Sequence, residues 1–281
     1  MSEEKKYVTY GDDVRITMDA EMFKDLFELM TALIKDEVQL QITANGVVLR
    51  QLEESHIALT DMFVPKEYFK ELKQGQKIKE LRLEVDSIKS VLTKLSHGDE
   101  IDFTVSNEGK LHVEIKGKRI RVFELPLLEA EAIERRIPKV ICNVRAKVCM
   151  EGLLYGVEDA QRFVVKSGGK KKELFGQIMI KTEPMGLRIE AETEDGLYST
   201  GTTLTSGWDI MKFEGSVGQS VVIAITYLVD IIRALSKVTN MVQIEFSQNV
   251  PLHIIAELPF KGMNLEYWVA PRILEKGSER K

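Results

Sequence analysis

The chain has 281 residues, 44% of them apolar, with a formal net charge of −5, which is ample for one large or two medium cores. That charge excludes a protein that grips nucleic acid over its whole surface, because phosphate binding draws on clustered Lys and Arg, although a local basic lining stays open. Its apolar runs are strand-length, short of the roughly 20 residues of a membrane span, and the start MSEEKK has no apolar signal segment, so a protein inside the cell is expected.

Residues 1–13 are polar and acidic and are expected to form a flexible extension. Residues 14–18 alternate like a strand, and Asp19 reads as the N-cap of a helix whose buried face is Phe23, Leu26, Phe27, Met30 and Ile34. Strands at 38–42 and 47–49 flank Ala44-Asn45-Gly46, a strong hairpin cue. Strands at 57–59 and 62–64 follow, stopped by Pro65. A strand at 81–85 leads into a short helix from Asp86 with Ile88, Val91, Leu92 and Leu95 on its apolar face, and strands follow at 100–106, 110–116 and 119–125.

Residues 124–138, ELPLLEAEAIERRIP, interrupt this pattern. Five aliphatic side chains, Leu125, Leu127, Leu128, Ile133 and Ile137, alternate with four glutamates and a double arginine, and Pro126 and Pro138 mark the ends. Proline lacks the donor a ladder needs, so the stretch cannot be a core strand and reads as a strap between domains.

Beyond the strap the same order returns. Residues 140–144 read as a strand, and Met150, Leu153, Leu154 and Val157 mark a helix that ends near Ala160. Strands at 177–181 and 187–191 flank the turn at 183–186. The strand at 221–225 precedes a helix with Leu228, Ile231, Ile232 and Leu235, and strands at 242–246, 252–258 and 264–269 close the chain. Laid over each other, the halves superpose 81–85 on 221–225 without a gap. Ile88, Val91, Leu92 and Leu95 then fall on Leu228, Ile231, Ile232 and Leu235, and the Leu111-His112 pair is matched by Leu252-His253. A repeat of more than 100 residues with strands and helices in each copy is a duplicated α+β domain, not a solenoid. The expected limits are 14–123 and 139–273 for the two domains, 124–138 for the strap and 274–281 for a flexible tail. Two short helices per domain cannot cover both faces of such a sheet, so they lie together on one face.

No enzyme motif survives inspection. Ser167-Gly-Gly-Lys170 lacks the first glycine and the Ser or Thr of a P-loop, and no G-x-G-x-x-G follows a strand. His56, His97, His112 and His253 have no partners at ligand spacing, Cys142 and Cys149 match no metal or redox spacing, and Ser55-His56 are adjacent on an extended segment and point apart. Neither catalysis, metal nor cofactor is expected.

Four segments carry a resemblance: Leu52-Glu-Glu-Ser-His-Ile-Ala-Leu59, Phe123-Glu-Leu-Pro126, Asn249-Val-Pro-Leu252 and the tail Leu265-Glu-Tyr-Trp-Val-Ala-Pro-Arg-Ile273. With them the chain resembles, over essentially 14–273, the sliding DNA clamps of the proliferating cell nuclear antigen family, of archaeal type. The resemblance implies a ring of three two-domain subunits, antiparallel sheets outside and two helices per domain on the inner face, through which double-stranded DNA passes without sequence preference. It implies a processivity factor that tethers DNA polymerase, the clamp loader, flap endonuclease and DNA ligase through short peptides, in the cytoplasm near the nucleoid, or in the nucleus of a eukaryote, with no membrane partner. Carried over by position, the DNA-facing cations are Lys24, Lys35, Lys89, Lys94, Lys147, Arg162, Arg233 and Lys237. The third helix departs from the family pattern, with Glu151, Glu158 and Asp159 and no cation between 150 and 160, and the lysine loop at 166–172 is a candidate to supply charge. The partner-peptide site falls on Leu52, His56, Ile57, Leu59, Leu128, Ile133, Pro251, Trp268, Ala270 and Pro271. The subunit edges fall on Arg119, Ile120 and Val122 in one chain and Leu197, Tyr198 and Gly201 in the next. Two rival readings stay open: an oligomeric scaffold that never touches DNA, and a specialised subunit of a heterotrimeric clamp.

Overall fold

The computed structural model describes residues 14–75, 78–105, 109–131, 136–166, 176–192 and 199–272. The expected end segments, Ile133, Leu197, Tyr198 and the lysine loop beyond Lys166 lie outside these residues. In chain order the elements are β1 (Arg15–Asp19), α1 (Ala20–Met30), β2 (Glu37–Thr43), β3 (Gly46–Leu52), β4 (Ala58–Pro65), β5 (Glu71–Lys73), β6 (Glu80–Glu84), α2 (Val85–Val91), β7 (Glu100–Val105), β8 (Lys110–Lys116) and β9 (Ile120–Pro126). After the strap come β10 (Val144–Cys149), α3 (Met150–Lys166), β11 (Gln177–Glu183), β12 (Gly186–Glu192), β13 (Ser199–Thr205), β14 (Ile210–Glu214), β15 (Ser220–Ala224), α4 (Ile225–Leu235), β16 (Met241–Phe246), β17 (Leu252–Ala256) and β18 (Asn264–Val269).

The chain divides into two units, Met1–Gln51 with Met62–Glu134, and Leu52–Asp61 with Arg135–Lys281. In the first, one sheet runs β5-β1-β7-β8-β9 and a second runs β6-β2-β3 to the latter half of β4. In the second, one sheet runs β14-β10-β16-β17-β18 and ends on the first half of β4, and another runs β15-β11-β12-β13. The strands of these sheets pair antiparallel, as β1 does with β5 and β7, β10 with β14 and β16, and β11 with β12 and β15. The strand order is therefore the same twice. β2 and β11, β3 and β12, and β6 and β15 each begin 140 residues apart, at 37 and 177, 46 and 186, and 80 and 220. This division places 52–61 with the second unit and falls between Glu134 and Arg135, within 124–138.

Local chemistry sets the element ends. The Asp19 carboxylate accepts from Met22 N at 2.8 Å and caps α1. At its other end the Thr31 hydroxyl donates to Phe27 O at 2.7 Å and the helix stops at Met30, so Ile34 packs in the core from a turn. On α4 the residues Leu228, Ile231, Ile232 and Leu235 are fully buried, each contributing about 1.5–3 kcal/mol by its removal from water. Their counterparts Ile88, Val91 and Leu92 are buried too, but α2 tightens into a 3₁₀ turn at Leu92–Lys94 and leaves Leu95 past its end.

Several expected boundaries are corrected. The strand placed at 140–144 is Val144–Cys149, where Val144, Ala146 and Val148 point inward, and Ile141 is 89% exposed. α3 continues to Lys166. The two strands at 57–59 and 62–64 are one, β4. Short edge strands β5 and β14 were not expected. Pro126 closes β9 opposite Lys110, which an edge strand tolerates because its outer side needs no donor. Past it the strap rests on β6 and β2. Leu128 N donates to Arg82 O at 3.2 Å, and the Gln39 amide brackets Glu131, donating to its O at 2.8 Å and accepting from its N at 3.0 Å.

In the first sheet the buried Asp102 carboxylate accepts from Arg15 Nη2 at 2.7 Å and Lys116 Nζ at 3.0 Å. Burial alone would raise its pKa, and the two cations outweigh that and hold it below the usual carboxylate range. A folded-state pKa lowered in this way gives stability that is fully present above the unfolded value of about 3.9 and is lost as pH falls from there through the folded value. Asp102→Asn is therefore expected to cost about 2 kcal/mol at pH 7, with the difference from wild type narrowing as pH falls below the carboxyl's unfolded value. Urea unfolding at stepped pH measures it, and a gap that does not close in acid would contradict the assignment.

Candidate partner and nucleic-acid interfaces

The expected partner residues of the second unit come from three places in sequence. The end of β3 and the turn after it supply Leu52, His56 and Ile57, Pro251 stands just before β17, and β18 with the residues after it supplies Trp268, Ala270 and Pro271. Backbone joins them, for Ala270 N donates to Ile57 O at 2.9 Å and, two residues on, Arg272 N donates to Val222 O at 2.7 Å. His56 is exposed with φ 58°, and Ile57 is 41% exposed, a large apolar side chain presented to solvent. Leu52, Pro251, Ala270 and Pro271 are half-buried.

Two residues of the expected set lie beneath this surface. Leu59 is 2% exposed and Trp268 7%. The Trp268 ring stacks on His253 with centroids 3.5 Å apart and planes 8° from parallel. His253 in turn meets Glu266 at 2.9 Å and Glu245 at 3.3 Å, and Glu245 is paired with Arg145 at 2.5 Å. Burial would raise the Glu245 carboxyl, while Arg145 and His253 hold it below its ordinary value. Trp268 is thus the floor of the surface. In the first unit Leu128 is half-buried where the strap meets β6.

The expected DNA-facing cations divide by unit. Lys24 on α1, Lys89 on α2 and Lys94 after it face solvent wholly or partly. Lys35 lies past the end of α1, and its Nζ donates to Ala32 O at 2.6 Å. In the second unit Lys147 is on β10, not a helix, and pairs with Glu257 at 2.6 Å. Arg162 is on α3 itself, 3.5 Å from Glu158 and 3.4 Å from Asp159. Arg233 on α4 donates to Gln161 at 2.7 Å and lies 3.9 Å from Glu158. Lys237 follows α4 in an exposed turn. The arginines of the α3–α4 pair are compensated by the acids on α3.

Of the expected subunit edges, β9 ends the first sheet and β13 ends the β15-β11-β12-β13 sheet. Ile120 and Val122 on β9 are 64% and 60% exposed, and Arg119 stands in the turn before it. Gly201 on β13 faces Glu190, and a Cβ there would meet the Arg188 guanidinium at 2.5 Å. The close approach at Gly201 is thus to a side chain of its own sheet.

The architecture matches solved clamps. It superposes with a TM-score of 0.75 on a chain of the PCNA2–PCNA3 complex of Sulfolobus tokodaii, at 23% identity over 92% of this chain and 99% of that one. It superposes with 0.74 on PCNA of A. fulgidus bound to the C-terminal region of FEN-1, at 19% identity over 94% and 100%. Two units of one construction, antiparallel sheets and four helices thus define the DNA clamp fold. In sequence, residues 14–130 match the family model for the N-terminal domain of proliferating cell nuclear antigen. A protein of Pyrobaculum aerophilum named DNA polymerase sliding clamp 1 is 26% identical over 258 residues, 91% of this chain and 96% of that one. Residues 14–130 thus carry the N-terminal domain of the proliferating cell nuclear antigen family, and the chain over nine-tenths of its length is similar to archaeal sliding clamps.

Proposed function

We propose that the chain is a non-catalytic subunit of a sliding clamp that encircles duplex DNA and tethers DNA polymerase and other replication and repair proteins. One observation carries the ring. By strand order β9 is the counterpart of β18, and β13 of β4, and β18 lies beside the first half of β4 within the chain. A second copy that offers β13 to β9 repeats that pairing, covers two edges that invite a partner strand, and leaves the same two edges free for the next copy. Closure also reconciles an acidic chain with a DNA task, since topology does the holding and phosphate contacts stay sparse. Partner peptides with a glutamine and terminal aromatics dock on His56, Ile57 and the half-buried residues around them, with the strap residues Leu128 and Ile133 assigned to the same peptide by the resemblance. The domain limits 14–123, 124–138 and 139–273 belong to this reading, as does a place in the cytoplasm beside the nucleoid.

Retention on nicked circular DNA, with loss from the same DNA once linearised, tests encirclement, and equal retention on both would overturn it. In that assay Lys89→Glu with Arg233→Glu is expected to lower loading about tenfold, as two reversed charges near phosphate weaken a salt-dependent contact. Full loading would remove these two positions from the DNA-facing set.

A second reading is favoured by the compensated arginines of α3 and α4. A chain whose described arginines on α3 and α4 are paired with acids suits one place in a heterotrimer, beside more basic sisters. Native mass spectrometry of the purified chain decides between them, three protomers supporting self-assembly and one implying sister subunits.

A further inference from the structure

The Leu52–Asp61 segment contains a carboxylate that the peptide surface itself does not use. Glu53 is buried, and both its oxygens point back at its own turn. Oε1 accepts from Ile57 N at 2.7 Å and Ala58 N at 3.3 Å, and Oε2 accepts from Ser55 N at 2.8 Å. The main chain of Glu53 closes the same turn, its N donating to Ala58 O and its O accepting from His56 N, each at 2.9 Å. The Tyr227 hydroxyl, in the first turn of α4, interacts electrostatically with Glu53 and Ser55. Inside this cradle His56 holds φ 58°, a left-handed conformation that a non-glycine residue keeps only when its surroundings impose it.

A buried charge is retained only where it is fully hydrogen-bonded. Here the bonds go to three amides of one turn, and that turn is the one that sets His56 and Ile57 outward. We propose that Glu53 is a positioning residue for partner capture: its carboxylate pre-shapes the peptide-docking turn, and the Tyr227 hydroxyl fixes the carboxylate from α4. Pre-shaping raises affinity because the turn need not be ordered when the peptide arrives. The inference rests on the proposed function in that its readout is the binding of a partner peptide.

The test uses the full-length chain and a fluorescent peptide with one glutamine and two terminal aromatics. Glu53→Gln, which places an amide NH₂ against backbone donors, is expected to weaken binding about tenfold. Tyr227→Phe, which removes a single oxygen and leaves the fold intact, is expected to weaken it about threefold. The double variant is expected to bind no more weakly than Glu53→Gln, because Tyr227 acts through the carboxylate. Hydrogen exchange at the amides of Ser55, Ile57 and Ala58 is expected to speed at least tenfold in Glu53→Gln while the oligomeric mass holds. If wild type binds and Glu53→Gln binds equally, or if the two substitutions add, the inference falls and the proposed function stands. If wild type does not bind the peptide, the proposed function falls first and takes this inference with it.

Discussion

Gly186→Ala is expected to destabilise the protein by about 3 kcal/mol or more, and Gly46→Ala by as much. Both glycines open the second strand of a hairpin, at φ 147° and 154°, where a side chain is strained. Space forbids the change as well. A Cβ at 186 would stand 2.1 Å from the carbonyl oxygen of Leu204 on β13, and one at 46 would stand 2.2 Å from that of Val64 on β4. Backbone oxygens in a ladder cannot step aside as a side chain can. Gly207→Ala is the control: its φ is 87°, with nothing within 4 Å of the added carbon, so only the conformational cost of about 1 kcal/mol remains. Urea unfolding of the three variants measures the differences, and a loss below 1 kcal/mol at 186 would show that the hairpin shifts at little cost.

Val122→Asp is expected to leave the chain monomeric at concentrations where wild type assembles, with the association weakened at least about a thousandfold. On the isolated chain Val122 and Ile120 expose apolar surface along the free edge of β9. Burying each such side chain against the next copy contributes about 1.5–3 kcal/mol. An aspartate at 122 loses that contribution and adds an unpaired charge at a strand junction. Met211→Asp, on the edge strand β14, serves as the comparison, because Met211 is also exposed but lies on neither of the edges, β9 and β13, of the proposed ring. Light scattering at matched concentration reads both. A Val122→Asp chain with the wild-type mass would take β9 out of the assembly.

Most of the fold could be read from the sequence because duplication shows each local signal twice. Asn45-Gly46 marked one hairpin and the turn at 183–186 its counterpart, and the matched apolar faces of α2 and α4 put the two in register. Where the sequence misled, a stronger local pattern was followed. Val140 and Ile141 read as a strand because they are apolar, yet the period-2 alternation begins at Val144, with Arg145 and Lys147 turned outward. β5 and β14 are short edges of three and five residues whose pairing is decided by the neighbouring strand more than by their own residues. Pro126, which marks one end of the strap in sequence, is the last residue of β9, as an edge strand allows and a central strand does not.

The candidate site was legible as a set of residue types, but not in depth. Nothing in the tail distinguishes Trp268 from an open wall of the site, because its burial comes from His253, one strand away on β17. Substitution of Trp268 by alanine would therefore open a cavity worth about 3–5 kcal/mol besides any loss of peptide binding, and phenylalanine is the safer probe. The inward role of Glu53 is hidden in the sequence for a related reason. A glutamate in a turn reads as solvated, and only the three amides converging on it reveal that it works inward.

Strand β4 gives its first half to one unit and its second half to the other. A chain built this way cannot be dealt out to two genes by a cut at the strap, because the piece from 139 onward would leave behind the stretch that flanks β18. The doubled protein is laced together at two places, one visible connector and one strand held in common.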